Sequence, residues 1–306
     1  MKKNGSAALK FTQIKASTNF LFNLLILALA AACAIPLLLA LSISLSAEES
    51  IRLYGYQLIP KIISFDGYAY LFNQRETMLR NLWMSVLVTV TGASLGIILN
   101  SLMGYVLSRR EYKLQKFFIW YVFIPMIFNG GLVSTFFIVS QFLRLRNTAW
   151  ALILPLCVSS FNVILCKTFF RTTIPGSIVE SAVIDGASQL TVYFRIVLPL
   201  SLPVLATIGL FLSFAYWNDW FQAMLYIDNP GLYTLQAYLN RLLGDINFLA
   251  QNTQLMGASM AEIAASLPRE AARMAIVIVA VLPIACAYPF FQRYFISGLT
   301  VGSVKG

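Results

Sequence analysis

Apolar positions in this chain gather into long continuous runs, and polar residues fall between the runs rather than alternating through them. The pattern predicts six spans at about 20–46, 79–107, 117–141, 149–170, 199–227 and 274–296. Each reaches or approaches the ~20 residues that carry a helix across a bilayer core. A membrane β-barrel would show alternating segments of ~10 residues instead. The first run follows Lys2, Lys3, Lys10 and Lys15, as the core of a secretory signal would. Its apolar stretch exceeds the ~7–15 residues of such a core, so it reads as a retained span.

Composition agrees. Hydrophobic residues make up 59% of the 306 positions and charged residues 11%, against the roughly 25% charge of ordinary soluble domains. The expectation is an all-α, polytopic membrane protein with six transmembrane helices. Charge then orients it. With the N-terminus inside, the inner segments hold 13 of the 22 basic residues against three acids, Glu111, Glu180 and Asp185. On the outer side, nine basic residues face nine acids. The whole positive excess lies on one face, as the positive-inside rule requires, which places both termini in the cytoplasm. Membrane lipid is the expected surround, and no nucleic-acid partner is needed to explain the charge.

The four cysteines, Cys33, Cys157, Cys166 and Cys286, lie in apolar runs without a C-x-x-C pair, and histidine is absent. Packing is their expected role, with no metal site. No phosphate-binding G-x-x-x-x-G-K-[ST] loop and no nucleophile–base pair is present, so the chain is expected to be non-catalytic and to bind no cofactor.

Several features stand inside the spans. Gly92, Gly96, Asn100 and Gly104 recur every four residues, which puts small side chains on one helix face for close packing; a second reading has Asn100 facing a water-filled path. Pro125 and Asn129-Gly130-Gly131 predict a kink or break in the third span, serving either simple bending or a substrate path. In Ala215-Tyr216-Trp217-Asn218-Asp219-Trp220-Phe221, the aromatics suit a membrane interface. Asn218 and Asp219 between tryptophans also suit a sugar ring, so Asn129, Trp217, Asn218 and Asp219 are the candidate path residues. The outer 228–273 segment carries a turn at Asn229-Pro230-Gly231 and helical patterns over 234–243 and 255–265.

The segment between spans four and five is the polar exception. Pro175 and Gly176 break the chain, Ser177 and Glu180 have capping-box spacing, and Ile178, Val179, Ala182 and Val183 offer an apolar stripe. Gly186 permits a turn, and an amphipathic stretch over 188–197 leads to Pro199. An amphipathic helix lying on the inner membrane surface would share that periodicity. The residues say more. Glu180, Ala182 and Gly186, then nine residues, then Ile196, Leu198 and Pro199 resemble the EAA loop of ATP-binding-cassette importer permeases. Asp185-Gly186-Ala187, Phe194 and Pro203 look like its sugar-importing branch, with Ser181 standing where the motif usually has alanine. Phe291 to Phe295 and Gly302 to Gly306 are similar to the C-terminus of maltose-type permeases.

That resemblance implies a type I importer permease: a cytoplasmic tail over 1–19 and a permease domain over 20–306, with its core at 77–296, a coupling loop at 172–198 and a C-terminal tail at 297–306. It implies residence in a bacterial inner membrane. It implies that Glu180, Ser181, Ala182, Asp185, Gly186 and Ala187 couple to the ATPase, and that Gly302, Ser303, Val304, Lys305 and Gly306 contact it. The implied partners are a second, homologous permease forming a heterodimer, two cytoplasmic ATPase subunits that bind ATP and Mg, and an extracytoplasmic solute-binding protein. The implied cargo is an oligosaccharide. The stretches Gly130–Val139 and Asn147–Pro155 look like a branch handling larger or modified chains, alginate or pectin fragments among them. A permease for another solute class, an ion-coupled sugar carrier and a membrane-embedded transferase are the rival readings; the last two leave the EAA-like segment unexplained.

Overall fold

The structure is a computed structural model and describes residues 16–251 and 268–303. Those residues are overwhelmingly helical, and the one β-bridge among them pairs Ser46 with Ile63. Packing divides the chain into two units, Met1–Asn73 with Thr253–Ile278, and Gln74–Asn252 with Val279–Gly306.

In the first unit, α1 (Ala16–Ser44) exposes its large apolar side chains from Phe20 to Leu38. A surface this apolar is stable only against lipid or protein. Two short helices follow that the sequence pattern did not predict, α2 (Glu48–Tyr54) and α3 (Asp66–Phe72). Glu48 accepts hydrogen bonds from the Glu270 and Ala271 amides at 3.0 and 3.4 Å. A carboxylate thereby caps the start of the last helix, where the helix dipole favours negative charge. Tyr56 donates to Glu270 at 2.8 Å.

The second unit is organised on α4 (Arg75–Ser108). A Cβ added at Gly92 would lie 2.4 Å from the Tyr216 ring, at Gly96 2.8 Å from the Cys157 carbonyl, and at Gly104 2.5 Å from the Cys166 Cβ. The four-residue spacing is therefore a packing face. Asn100, on the same face, is fully buried, which removes the water-filled-path reading.

The third span breaks between α5 (Gln115–Ile127) and α6 (Gly131–Phe137), which continues into a π-helical turn at Ile138–Phe142; the two arms bend by 119°. This is a reversal rather than a kink. Pro125 stays inside α5, and the break falls on Asn129-Gly130-Gly131, with Gly131 at φ +84°. The fourth span divides into α7 (Ala149–Cys157) and α8 (Ser160–Thr173), bent by 47°.

After α9 (Gly176–Ile184) and α10 (Gln189–Val192), a π-helical turn (Tyr193–Val197) and α11 (Leu198–Leu200) lead to an 83° bend at Ser201 and then α12 (Leu202–Trp217). The fifth span thus starts at Leu202 rather than 199, because Pro203 sits in the first turn of a new helix. It ends at Trp217 rather than 227, with a separate α13 (Phe221–Tyr226) beyond. α14 (Leu235–Gln251) buries Leu235, Leu239, Leu242 and Ile246, a stripe at helical spacing, and its Leu235 amide donates to the Ser85 hydroxyl on α4 at 2.7 Å. The expected 255–265 helix lies outside the described residues. α15 (Arg269–Ser303) starts earlier than the predicted span and continues through residues expected to form a separate tail.

Among the described residues, three helices are long and apolar enough to cross a membrane, and the total rises to six if each bent pair makes one crossing. No group of metal-ligating side chains occurs among them. Cys157 and Cys166 are buried as packing residues, whereas Cys33 and Cys286 are exposed on the apolar helices α1 and α15.

Candidate functional site: the segment joining α8 to α12

Pro175, extended at ψ 131°, ends one helix and starts α9. Ser177 lies inside the first turn and caps nothing, so the capping-box expectation is corrected. Its position is wrong for the role, because an N-cap residue must itself be non-helical. α9 turns Val179 and Ala182 inward against Phe170, Val192 and Val197. Ile178, Val183 and Ile184 stay exposed, Ile184 by 85%. Of the stripe read from the sequence, Val179 and Ala182 therefore hold the helix to the protein and the half-exposed Ile178 and Val183 flank them, while Ile184 stands on the outer side with Glu180 and Ser181.

The helix ends in a Schellman motif. Gly186, at φ +84°, donates to the Val183 carbonyl at 3.0 Å, and the Ala187 amide donates to Ala182 at 2.9 Å. A left-handed residue at this position is what lets the chain reverse and satisfy the last carbonyls. Ser188 then caps α10 by accepting from the Thr191 amide at 3.2 Å. Glu180, Ser181, Asp185 and Gly186 are exposed, while Ala182 and Ala187 are half-buried against the core. Of the two small coupling residues at the middle of α9, Ser181 faces out and Ala182 packs inward.

The segment is anchored to α4. Tyr193 is buried, with its hydroxyl 2.7 Å from that of Ser101. Its ring lies 5.4 Å from that of Tyr105, whose hydroxyl donates to Gln189 at 3.0 Å. The Arg109 guanidinium sits over the Tyr105 ring at 4.9 Å, a favourable cation–π placement. A cleft of about 620 Å³ opens beside α9, lined by Tyr105, Arg109, Glu111, Val179, Glu180 and Ile184.

Gly302 and Ser303 continue the last helix; Val304, Lys305 and Gly306 lie outside the described residues. Of the path candidates, Asn129, Asn218 and Asp219 make local hydrogen bonds and Trp217 a long-range one. Asn129 accepts from the Gly131 amide at 2.9 Å, folding its own break. Trp217 is buried and donates to the Ala280 carbonyl at 3.3 Å. Exposed Asn218 donates to the Phe214 carbonyl at 2.9 Å, and half-buried Asp219 accepts from the Gln222 amide at 3.3 Å at the start of α13. Trp217, Asn218 and Asp219 thus sit together at the end of α12.

Among the long-range contacts that sequence reasoning missed are those of Asn100, Tyr216 and Arg146. Asn100 bonds the break of the fourth span, donating to the Cys157 carbonyl at 2.8 Å and accepting from the Ser159 amide at 3.0 Å. Tyr216 donates to the Ile153 carbonyl at 2.6 Å. Arg146 grips Asp228 through two hydrogen bonds of 3.0 and 3.1 Å. For Asn100 and Tyr216, polar side chains within apolar runs were the available signal, because such groups need partners when buried; the exposed Arg146–Asp228 pair left none.

Broken and unbroken apolar helices, with an anchored polar segment that exposes Glu180, Ser181 and Ile184, are the architecture of a transport permease. The chain belongs to the family of binding-protein-dependent transport system inner membrane components, whose model matches residues 96–301. It is 39% identical to the polygalacturonan/rhamnogalacturonan transport system permease protein YtcP of Bacillus subtilis (strain 168), over 81% of this chain and 84% of that one. Protein LplC of the same organism is 36% identical over 85% of each chain. Among solved structures, a crystal structure of a bacterial ABC transporter involved in the import of the acidic polysaccharide alginate matches with a TM-score of 0.78 at 25% identity, covering 92% of this chain and 99% of that chain. The all-α membrane architecture and the resemblance to ATP-binding-cassette importer permeases are both borne out.

Proposed function

We propose that this chain is a permease subunit of an ATP-driven, binding-protein-dependent importer and forms half of the translocation path for an acidic oligosaccharide. The observation that carries the reading is the α9 segment. It is anchored on one face, exposes Ile184 beside Glu180 and Ser181 on the other, and is closed by a glycine turn, which suits a helix seated in the cleft of another protein. That partner is an ATPase subunit on the cytoplasmic side, where the positive-inside rule puts this segment. Two such subunits bind ATP and Mg, and their closure displaces α9. A second, homologous permease completes the path, and an extracytoplasmic solute-binding protein delivers cargo. The C-terminal residues Gly302 to Gly306 add a second contact to the ATPase pair.

Cargo class is supported by the polygalacturonan/rhamnogalacturonan permease at 39% identity and by the alginate importer's shared fold. Both cargoes are uronate-containing chains. The decisive experiment reconstitutes the complete complex in vesicles and measures ATPase stimulation across neutral and acidic oligosaccharides. Stimulation by oligogalacturonates or alginate fragments, and not by neutral chains, is expected. Stimulation by neutral chains alone would overturn the cargo, and uptake without any ATPase subunit would favour an ion-coupled carrier.

A further inference from the structure

A helix broken inside a bundle leaves backbone groups without intrahelical partners, and buried ones must find others. Between α7 and α8 the Cys157 carbonyl and the Ser159 amide are both held by one side chain, Asn100, at 2.8 and 3.0 Å. The same amide nitrogen donates to the Gly96 carbonyl at 2.6 Å, which fixes its orientation. Gly96 admits the contact, because a Cβ there would stand 2.8 Å from the Cys157 oxygen.

The next residue along α4 holds a different neighbour. The Ser101 hydroxyl lies 2.7 Å from that of Tyr193, and both residues are essentially inaccessible. Consecutive helical positions point about 100° apart, so Asn100 and Ser101 reach two different elements from one place on α4. Tyr193 opens the π-helical turn between the α9 segment and the 83° bend at Ser201. Such turns are frequent at functional sites.

Resting on the permease reading above, we propose that Asn100 and Ser101 are positioning residues: they link displacement of the α9 segment, through Tyr193, to the bend between α7 and α8. Each tie is buried, where leaving a polar group unpaired is costly. Displacement of Tyr193 therefore carries α4 with it, and α4 carries the backbone at Val158. One turn before the break, on α7, the Tyr216 hydroxyl holds the Ile153 carbonyl from α12 at 2.6 Å. α4 thus holds the break and α12 holds the arm before it, and shifting one helix against the other changes the angle instead of dissipating in side-chain slack.

The test uses the complete complex in vesicles, with ATP hydrolysis and sugar uptake measured on the same sample. Tyr193→Phe, Ser101→Ala, the double variant and Asn100→Leu are compared with wild type. Hydrolysis should persist, and uptake per ATP should fall about fivefold, the size of one buried hydrogen bond. The double variant should be no worse than either hydroxyl deletion alone. An unchanged ratio in Tyr193→Phe and Ser101→Ala would overturn the linkage, as would additive losses in the double variant. If Asn100→Leu fails to assemble, Tyr193→Phe carries the test, since it keeps the buried ring. Wild-type vesicles that take up sugar without ATPase subunits would instead sink the permease reading on which the proposal rests.

Discussion

The Ala187 amide donates to the Ala182 carbonyl at 2.9 Å, and Gly186 at φ +84° is what turns the chain to allow it. A Cβ at Gly186 would meet nothing within 4 Å, so conformation is the sole penalty for a side chain there. Left-handed backbone costs an L-residue about 1–2 kcal/mol. Gly186→Ala should therefore lower uptake several-fold, and Gly186→Asn should lower it less, because asparagine tolerates this region. Gly186→Pro should abolish uptake with membrane insertion intact. Uptake by reconstituted complexes checks the order, and equal activity of all three variants would remove the turn from the mechanism.

Ile184 is 85% exposed at the end of α9, on the side that also exposes Glu180 and Ser181. An apolar side chain this exposed is stable when covered by a partner. Ile184→Asp should leave the isolated permease within about 0.5 kcal/mol of wild-type stability, as exposed substitutions usually do. It should nonetheless sharply reduce co-purification with the ATPase subunit. Glu180→Lys should act in the same direction by reversing an exposed charge on that helix. Full co-purification of both variants would move the docking surface elsewhere.

Two glycines separate packing from propensity. At Gly92 a methyl group would enter the Tyr216 ring at 2.4 Å, whereas at Gly244 it would meet nothing within 4 Å. Gly92→Ala should destabilise by about 1–3 kcal/mol through overpacking. Gly244→Ala, in the exposed face of α14, should stabilise by about 0.5–1 kcal/mol through helix propensity. Thermal unfolding of the purified protein in detergent reads both, with shifts of opposite sign expected.

The contrast between these sites also explains what the sequence could reveal. Long apolar runs need no tertiary information, so their existence was legible, and so was the glycine turn at Gly186. The direction of a break was not. Asn129-Gly130-Gly131 marks a weak point, but the 119° reversal depends on what the two arms pack against. The break at Val158 and Ser159 is completed by Asn100, a partner 57 to 59 residues away in sequence. Trp217, Asn218 and Asp219 read as an interface or a sugar platform. In the fold Asn218 and Asp219 also bond the end of α12 and the start of α13, where a helix break makes local demands on nearby polar groups, and Trp217 reaches the Ala280 carbonyl on α15. α2 and α3 escaped notice because their apolar content is short and irregular.

The pair Arg146 and Asp228 offers a pH test. The guanidinium meets the carboxylate at 3.0 and 3.1 Å, and the Asn147 amide adds a third bond at 3.0 Å. Asn147 in turn accepts from the Asp228 and Asn229 amides, tying the loop before α7 to the end of α13. The Arg146 hydrogen bonds, then that from Asn147, hold the Asp228 carboxyl below its ordinary value. A depressed folded value means that the pair contributes stability above the unfolded value of about 3.9, and that the contribution is lost as pH falls through the lower folded value. Asp228→Asn should therefore melt below wild type by a constant margin from pH 7 to about pH 5, with the margin closing only in strongly acidic buffer. High salt should narrow the margin, because the pair is exposed and screened. Thermal unfolding of both proteins across pH and ionic strength makes the check, and a margin that closes near pH 6 would show that another titrating group governs this contact.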